Sequence, residues 1–253
     1  MGPLGKLTQM ELRLFLREPI TVVFTLALPL MILYILGGVF GNEAGANASP
    51  DDLVVYRGFG ATNWYTAAYV AIAVAGFALI SVPTHLVEYR ESGVLRRFRA
   101  SAVPRWMVLA SQFLNALVIA SVGAAILLVV ALLGTDVDPA MDWLRFALAY
   151  LVGAIALVCL GLALGTVMPT ARAAQSAGLV LWFMLLLVCG GGPPPEVLPD
   201  GLRTLGQWLP LSPIIKALQE PWLTGGWAWT PSLIAVGIAA ACGGIAWFLF
   251  RWE

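Results

Sequence analysis

Charge is what this sequence has least of. Asp, Glu, Lys and Arg together make up 11 % of its 253 residues and cancel to a net charge of zero. A soluble globular domain carries about 25 %. Hydrophobic residues reach 60 %, with a mean hydropathy of +0.88. A soluble fold of this length has no place for so much apolar surface, so the class is an integral membrane protein. With no basic excess, no nucleic-acid partner is implied. His85 is the only histidine, which excludes a multi-histidine metal centre. The three cysteines, Cys159, Cys189 and Cys242, sit inside apolar runs and lack metal-ligand or disulfide spacing. They read as small hydrophobes. Asp136, Asp138 and Asp142 are close in sequence but lie in a polar stretch, and read as solvated charge rather than a metal site. Neither paired carboxylates nor a Ser-His constellation shares a face, which argues against a membrane enzyme. No Gly-x-x-x-x-Gly-Lys-Ser/Thr stretch is present, so this sequence does not supply the standard ATP-binding loop.

What is present is a series of apolar runs. Six are long enough to span a bilayer: 20–41, 60–84, 106–133, 146–167, 173–190 and 231–250. At about 1.5 Å per residue, the first is about 33 Å long against a hydrocarbon core of about 30 Å. It is followed by Ala46-Asn47-Ala48, a cleavage-like triplet, but the run is too long for the apolar region of a signal peptide. The fifth run ends at Gly190-Gly191-Gly192-Pro193-Pro194-Pro195, which stops a helix. The apolar bodies contain no Asp, Glu, Lys, Arg or His. The expected fold is an all-α membrane protein forming a single domain over 1–253, with six spans.

Orientation follows from the basic residues. With the N-terminus inside, Lys6, Arg13, Arg17, Arg90, Arg96, Arg97, Arg99, Arg105, Arg172 and Arg251 face the cytoplasm. Arg57, Arg145, Arg203 and Lys216 face outward, giving 10 against 4 of the 14. The positive-inside rule then puts both termini in the cytoplasm of a multi-pass inner-membrane protein. The outer loop 191–230 contains two short helical segments, 198–209 and 213–223, interrupted by Pro210 and Pro213. Its Trp208, Trp222, Trp227 and Trp229 suit the headgroup level, so the loop is expected to be partly re-entrant or to lie on the outer interface.

Two cytoplasmic segments could carry mechanism. Residues 4–18 read as an amphipathic helix lying in the interface, with Lys6, Arg13 and Arg17 on one face and Leu7 and Leu14 on another. Residues 88–103 hold Glu88, Arg90, Glu91, Arg96, Arg97 and Arg99, with Val94, Leu95 and Phe98 forming an apolar edge. Spacing alone leaves this segment equally open to a topology anchor and to a partner-binding helix.

The order of features resembles the permease subunit of type-2 ABC transporters along essentially the whole chain. Arg17-Glu18-Pro19 precedes a span that contains Pro29 and ends Gly37-Gly38-Val39-Phe40-Gly41, similar to the family's first helix. Glu88-Tyr89-Arg90-Glu91-Ser92-Gly93-Val94-Leu95-Arg96-Arg97-Phe98-Arg99-Ala100, followed by Pro104, resembles its Glu-Arg-x-x-Gly-x-Leu…Leu-Arg…Pro cytoplasmic loop. Pro169-Thr170-Ala171-Arg172-Ala173-Ala174-Gln175 matches its short second cytoplasmic loop. Pro195-Glu196-Val197-Leu198-Pro199 and Leu209-Pro210-Leu211-Ser212-Pro213 resemble its proline-bounded outer segment. The run Gly190 to Pro195 is more broken than the family's usual pattern, and Val103 before Pro104 also departs from it.

The resemblance implies a homodimer, or a pair with a paralogous permease, above two cytoplasmic ATPase subunits that hold ATP and Mg; this chain would bind no cofactor of its own. Glu88, Arg90, Glu91, Gly93, Val94, Leu95, Arg97 and Phe98 would form the coupling helix, and 4–18 the interfacial elbow among membrane lipids. An amphipathic drug or lipid would pass along a path for which Asn63, Gln112, Asn115 and Gln175 are the candidate polar residues. Polysaccharide export is an alternative cargo. A secondary transporter or channel is the rival class, but such carriers use ionisable groups inside the membrane, and these spans have none. Gly37-x-x-x-Gly41 and Gly161-x-x-x-Gly165 permit close helix approach, either within one chain or between two.

Overall fold

The computed structural model of the protein describes residues 27–40, 56–100 and 104–250. The amphipathic segment 4–18, with Lys6, Arg13 and Arg17, lies outside them, as do the start of the first apolar run and the side chain of Phe98. The helices are α1 (Leu28–Phe40), α2 (Ala61–Glu91), α3 (Val94–Ala100), α4 (Arg105–Gly134), α5 (Trp143–Val167), α6 (Ala171–Val188), α7 (Asp200–Trp208), α8 (Leu211–Leu223) and α9 (Trp229–Leu249). Five of them, α2, α4, α5, α6 and α9, are long and apolar enough to cross a membrane. Of the sixth apolar run, 20–41, the helical part described is the 13-residue α1.

The hub is α2. Every residue from Ala61 to Ser81 is buried, and α1, α4, α5, α6 and α8 pack around it. Its alanines, among them Ala67, Ala68, Ala71, Ala75 and Ala78, let neighbouring backbones approach closely, the usual basis of helix packing in lipid. Over Phe77–Ser81 the helix widens into a π turn. Two glycines meet it there. A Cβ on Gly161 of α5 would overlap the Ala78 carbonyl, and one on Gly178 of α6 would overlap the Leu79 carbonyl. A Cβ at Gly165 would lie 3.0 Å from the Pro83 Cα. The Gly161-x-x-x-Gly165 seam therefore serves a contact within this chain.

The peripheral helices turn apolar side chains outward. α4 exposes Leu114, Val118, Val122, Ile126 and Val129, a stripe at helical spacing, and α9 exposes Leu233, Val236, Trp247 and Phe248. Such stripes would drive aggregation in water but are ordinary surface in a bilayer.

At one end of the bundle, side chains tie the loops to α2. Asn63 Nδ2 donates to Asp138 Oδ2 and Asn63 Oδ1 accepts from the Asp138 N–H, both at 2.8 Å. Asp142 caps α5 by accepting from the Arg145 N–H at 2.9 Å. α6 ends at Val188, and the glycines beyond it are used. The Gly191 and Gly192 N–H groups donate to Leu186 O at 3.1 and 3.0 Å, while their carbonyls accept from Tyr69 and Tyr65 at 2.6 and 3.0 Å. Gly190 has φ +92°, which an L side chain rarely adopts.

The two short helices of 191–230, α7 and α8, differ in kind. α8 is buried against α2, α5 and α9, with Lys216 its one exposed residue. Both of its ends are held at this end of the bundle. Ser212 Oγ donates to Gly206 O at 2.6 Å, and the Trp222 and Pro221 carbonyls accept from Met141 and Asp142 N–H groups at 3.2 Å. α7 instead lies on the surface, with only Gly206 buried and Leu202, Leu205 and Trp208 exposed.

Candidate functional site

The opposite end of the bundle carries the arginine-rich segment. Hydropathy falls after Thr84, but the α2 helix continues to Glu91, because polar side chains do not oppose a helix that leaves its packed surroundings. The break comes at Ser92-Gly93. The Ser92 N–H and Oγ both donate to the Glu88 carbonyl, at 2.8 and 2.7 Å. Gly93 takes φ +72°, and its N–H donates to the Arg90 carbonyl at 3.2 Å. This is the glycine-terminated helix end, where a left-handed residue satisfies orphan carbonyls. α3 restarts at once, with the Arg97 N–H on the Gly93 carbonyl at 3.2 Å.

The seven-residue α3 is seated by one side chain: Leu95 is 1 % exposed and belongs to the core. Val94 is half-buried, while Arg96, Arg97 and Arg99 are exposed. Arg97 and Arg99 occupy the last turn, where cations complement the negative helix end. Arg105 and Arg172 are also exposed at this end, making it strongly cationic.

Two other residues of the segment reach across to the α5–α6 turn. The Arg90 guanidinium donates to the carbonyls of Met168 and Pro169. Glu91 Oε1 accepts from the N–H of Ala171, the first residue of α6, at 3.3 Å. A carboxylate is favoured there because it meets the positive helix terminus. Thr170 caps the same helix by accepting from the Ala173 N–H at 3.2 Å. The end of α2, the end of α5 and the start of α6 are thus clamped together. Glu88 is exposed, and its Oε2 lies 3.4 Å from Nδ1 of His85.

The structure therefore brings Glu88, Arg90, Glu91, Gly93, Val94, Leu95 and Arg97 to one corner but gives them different work. Arg90 and Glu91 brace the turn, Gly93 makes the break, Leu95 seats α3, and Arg96 and Arg97 face outward. The sequence reading had put Leu95 on an edge offered to a partner. Its burial within this chain turns it away from Arg97, which lies on the far side of α3. The Met168 and Pro169 carbonyls and the Ala171 N–H were missed, since backbone partners leave no side-chain signal. The one pointer was the short Pro169-Thr170 turn.

The four candidate path residues are not brought together. Asn63 is 7 % exposed and is engaged with Asp138 at the other end of the bundle. Gln112 and Asn115 are 5 % and 2 % exposed, in the half of α4 nearer Arg105. Gln175 is half-buried in the second turn of α6.

The sequence matches the family described as ABC-2 type transporter over residues 4–221. It is also 26 % identical over 211 residues to "Putative transport permease YvfS" of Bacillus subtilis (strain 168), an alignment that covers 83 % of this chain and 81 % of that one.

Proposed function

The chain belongs to the ABC-2 type transporter family, whose membrane-spanning permease subunits this one joins, and we propose that it is the export subunit driven by a separate cytoplasmic ATPase. In this reading the arginine-rich end is cytoplasmic, both termini lie inside, and the α7–α8 end faces out. Two permease chains, identical or paralogous, pair in the inner membrane. The ATPase dimer holds ATP and Mg. The cargo is an amphipathic small molecule, a drug or a lipid.

The observation that carries this reading is the build of the cytoplasmic corner. Leu95 and the Arg90–Glu91 clamp hold α3 at a fixed place, and the side it presents is cationic, with Arg96 and Arg97 exposed. An anchor that only sets topology needs the charges, but not a seated helix fastened to the next pair of spans. A docking element needs both, since charged rims set register and encounter rate. A push on α3 would then reach α6 through Glu91 and the turn at Met168.

The test is co-purification. The tagged permease should retain an ABC ATPase, and Arg96→Glu with Arg97→Glu should release it while the permease still inserts and remains monodisperse. Full retention of the ATPase by that double variant would refute docking through this face. Each exposed charge near a complementary surface contributes about 1 kcal/mol, and reversal roughly doubles the effect. A loss of affinity of at least tenfold is therefore expected.

A further inference from the structure

Of the four basic residues at the α7–α8 end, three converge. Arg57, Arg203 and Lys216 line one cavity of about 150 Å³ between the end of α6, α7 and α8. A second cavity of about 270 Å³ shares Arg57, Trp64, Lys216 and Gln219 with it and extends to Trp227. The fourth cation is occupied elsewhere: Arg145 lies 3.3 Å from Asp142 and donates to the Gly225 carbonyl. Among the described residues, no carboxylate pairs with Arg57, Arg203 or Lys216.

The lining suits an anion. Arg57 stacks over the Trp64 ring at 5.6 Å and has φ 53°, a left-handed backbone rarely kept without a reason. Lys216 is the single exposed residue of the otherwise buried α8, so its ammonium is presented by a rigid element. Trp227, whose Nε1 is a buried donor with no acceptor, is among the residues lining the second cavity. Two carboxylates oppose the anion: Glu196 lines the first cavity with its Oε2 buried and without a donor, and Glu220 lines the second. On another face of α7 from Arg203, Gly206 and Gln207, which line the cavity, Leu202, Leu205 and Trp208 present exposed apolar surface. Exposed cations around the two cavities and an exposed apolar face on α7 match a molecule with an anionic head and an acyl tail.

We propose that this paired cavity binds the phosphate of an anionic amphiphile, with the head group between Arg57, Arg203 and Lys216 and the tail along α7. Only the assignment of this end to the outer leaflet rests on the transport reading; the binding chemistry does not.

The experiment uses the full chain, purified in neutral detergent without any ATPase, so its outcome is independent of whether the chain couples to one. Binding of dioctanoyl phosphatidylglycerol is followed by the fluorescence of the tryptophans and by calorimetry. It should be saturable, weakened by salt, and absent for dioctanoylglycerol, which lacks the phosphate. Arg203→Gln and Lys216→Gln should each weaken it about fivefold, the effect of one cation near an anionic surface. Glu196→Gln should tighten it, and Arg145→Gln should leave it unchanged. The charge-preserving set Arg57→Lys, Arg203→Lys and Lys216→Arg should retain binding, which separates loss of charge from loss of fold. Unchanged affinity in either Gln variant relative to the unmodified chain, or equal binding of dioctanoylglycerol, would overturn the site. Competition by inorganic phosphate at the same concentrations as the lipid would overturn the amphiphile, leaving a site for the free anion.

Discussion

At the scale of single residues, adjacent positions in α3 have opposite duties. Leu95 is buried and Arg96 exposed, although both lie in the most polar stretch of the chain. Leu95→Asp should therefore damage the permease itself. A lost leucine and a buried carboxylate together cost about 3 kcal/mol or more, seen as a lower thermal midpoint in detergent before any ATPase is added. Arg96→Glu should leave that midpoint within about 0.5 kcal/mol, as surface changes do, and act only on the complex. Equal midpoints for the two variants would place Leu95 on the surface. Gly161 offers a second residue-scale test. Gly161→Leu must push α5 off the Ala78 carbonyl. Overpacking of that kind costs about 1–3 kcal/mol, whereas Gly237→Leu, on open helix surface in α9, should be tolerated. A destabilisation shared equally by both would contradict the close contact of α5 with α2.

At the scale of elements, the sequence was most legible where lipid or core dictates hydropathy. The runs 106–133, 146–167, 173–190 and 231–250 correspond to α4, α5, α6 and α9 with ends moved by at most three residues. The start of α5 moved because Asp142 caps it from a polar position, and hydropathy does not register a cap. The run 60–84 understated its helix, which extends to Glu91, because helix formation tolerates charge and only Ser92-Gly93 breaks it. The short helices of 191–230 were legible as elements, but the burial of α8 was not, since its faces are fixed by α2, α5 and α9. Among site residues, the segment 88–97 stood out by its arginines and its likeness to the family's loop, while its spacing left an anchor equally open. The clamp to Met168, Pro169 and Ala171 was hidden, because its acceptors and donor are backbone. That clamp predicts an element-scale coupling. Arg90→Ala and Glu91→Ala should each lower coupling between ATP hydrolysis and transport, and the pair should be less than additive, because both act on one turn. Strict additivity would mean the two bonds hold separate elements. Asn63→Leu should instead cost about 1–3 kcal/mol of stability, the worth of a hydrogen bond to a charged partner, without changing which molecules are transported. A shifted cargo preference would return Asn63 to the translocation path.

At the scale of the whole molecule, the proposed orientation rests on the uneven distribution of arginine. With native cysteines replaced, a cysteine at Ser92 should react in intact cells only with membrane-permeant thiol reagents, while one at Asp138 should react with impermeant ones. The reverse pattern would invert the protein. The proposed reading, in which the chain holds a path and takes its energy from a partner, draws on the buried hub α2 and the uncharged apolar bodies of the spans. The most direct measurement is transport in liposomes with and without the partner. The purified permease alone should neither hydrolyse ATP nor move a fluorescent amphiphile down an imposed proton gradient. With the co-purifying ATPase and Mg-ATP, both activities should appear together. Uptake by the permease alone that collapses on addition of a protonophore would contradict the account and make the protein a secondary carrier.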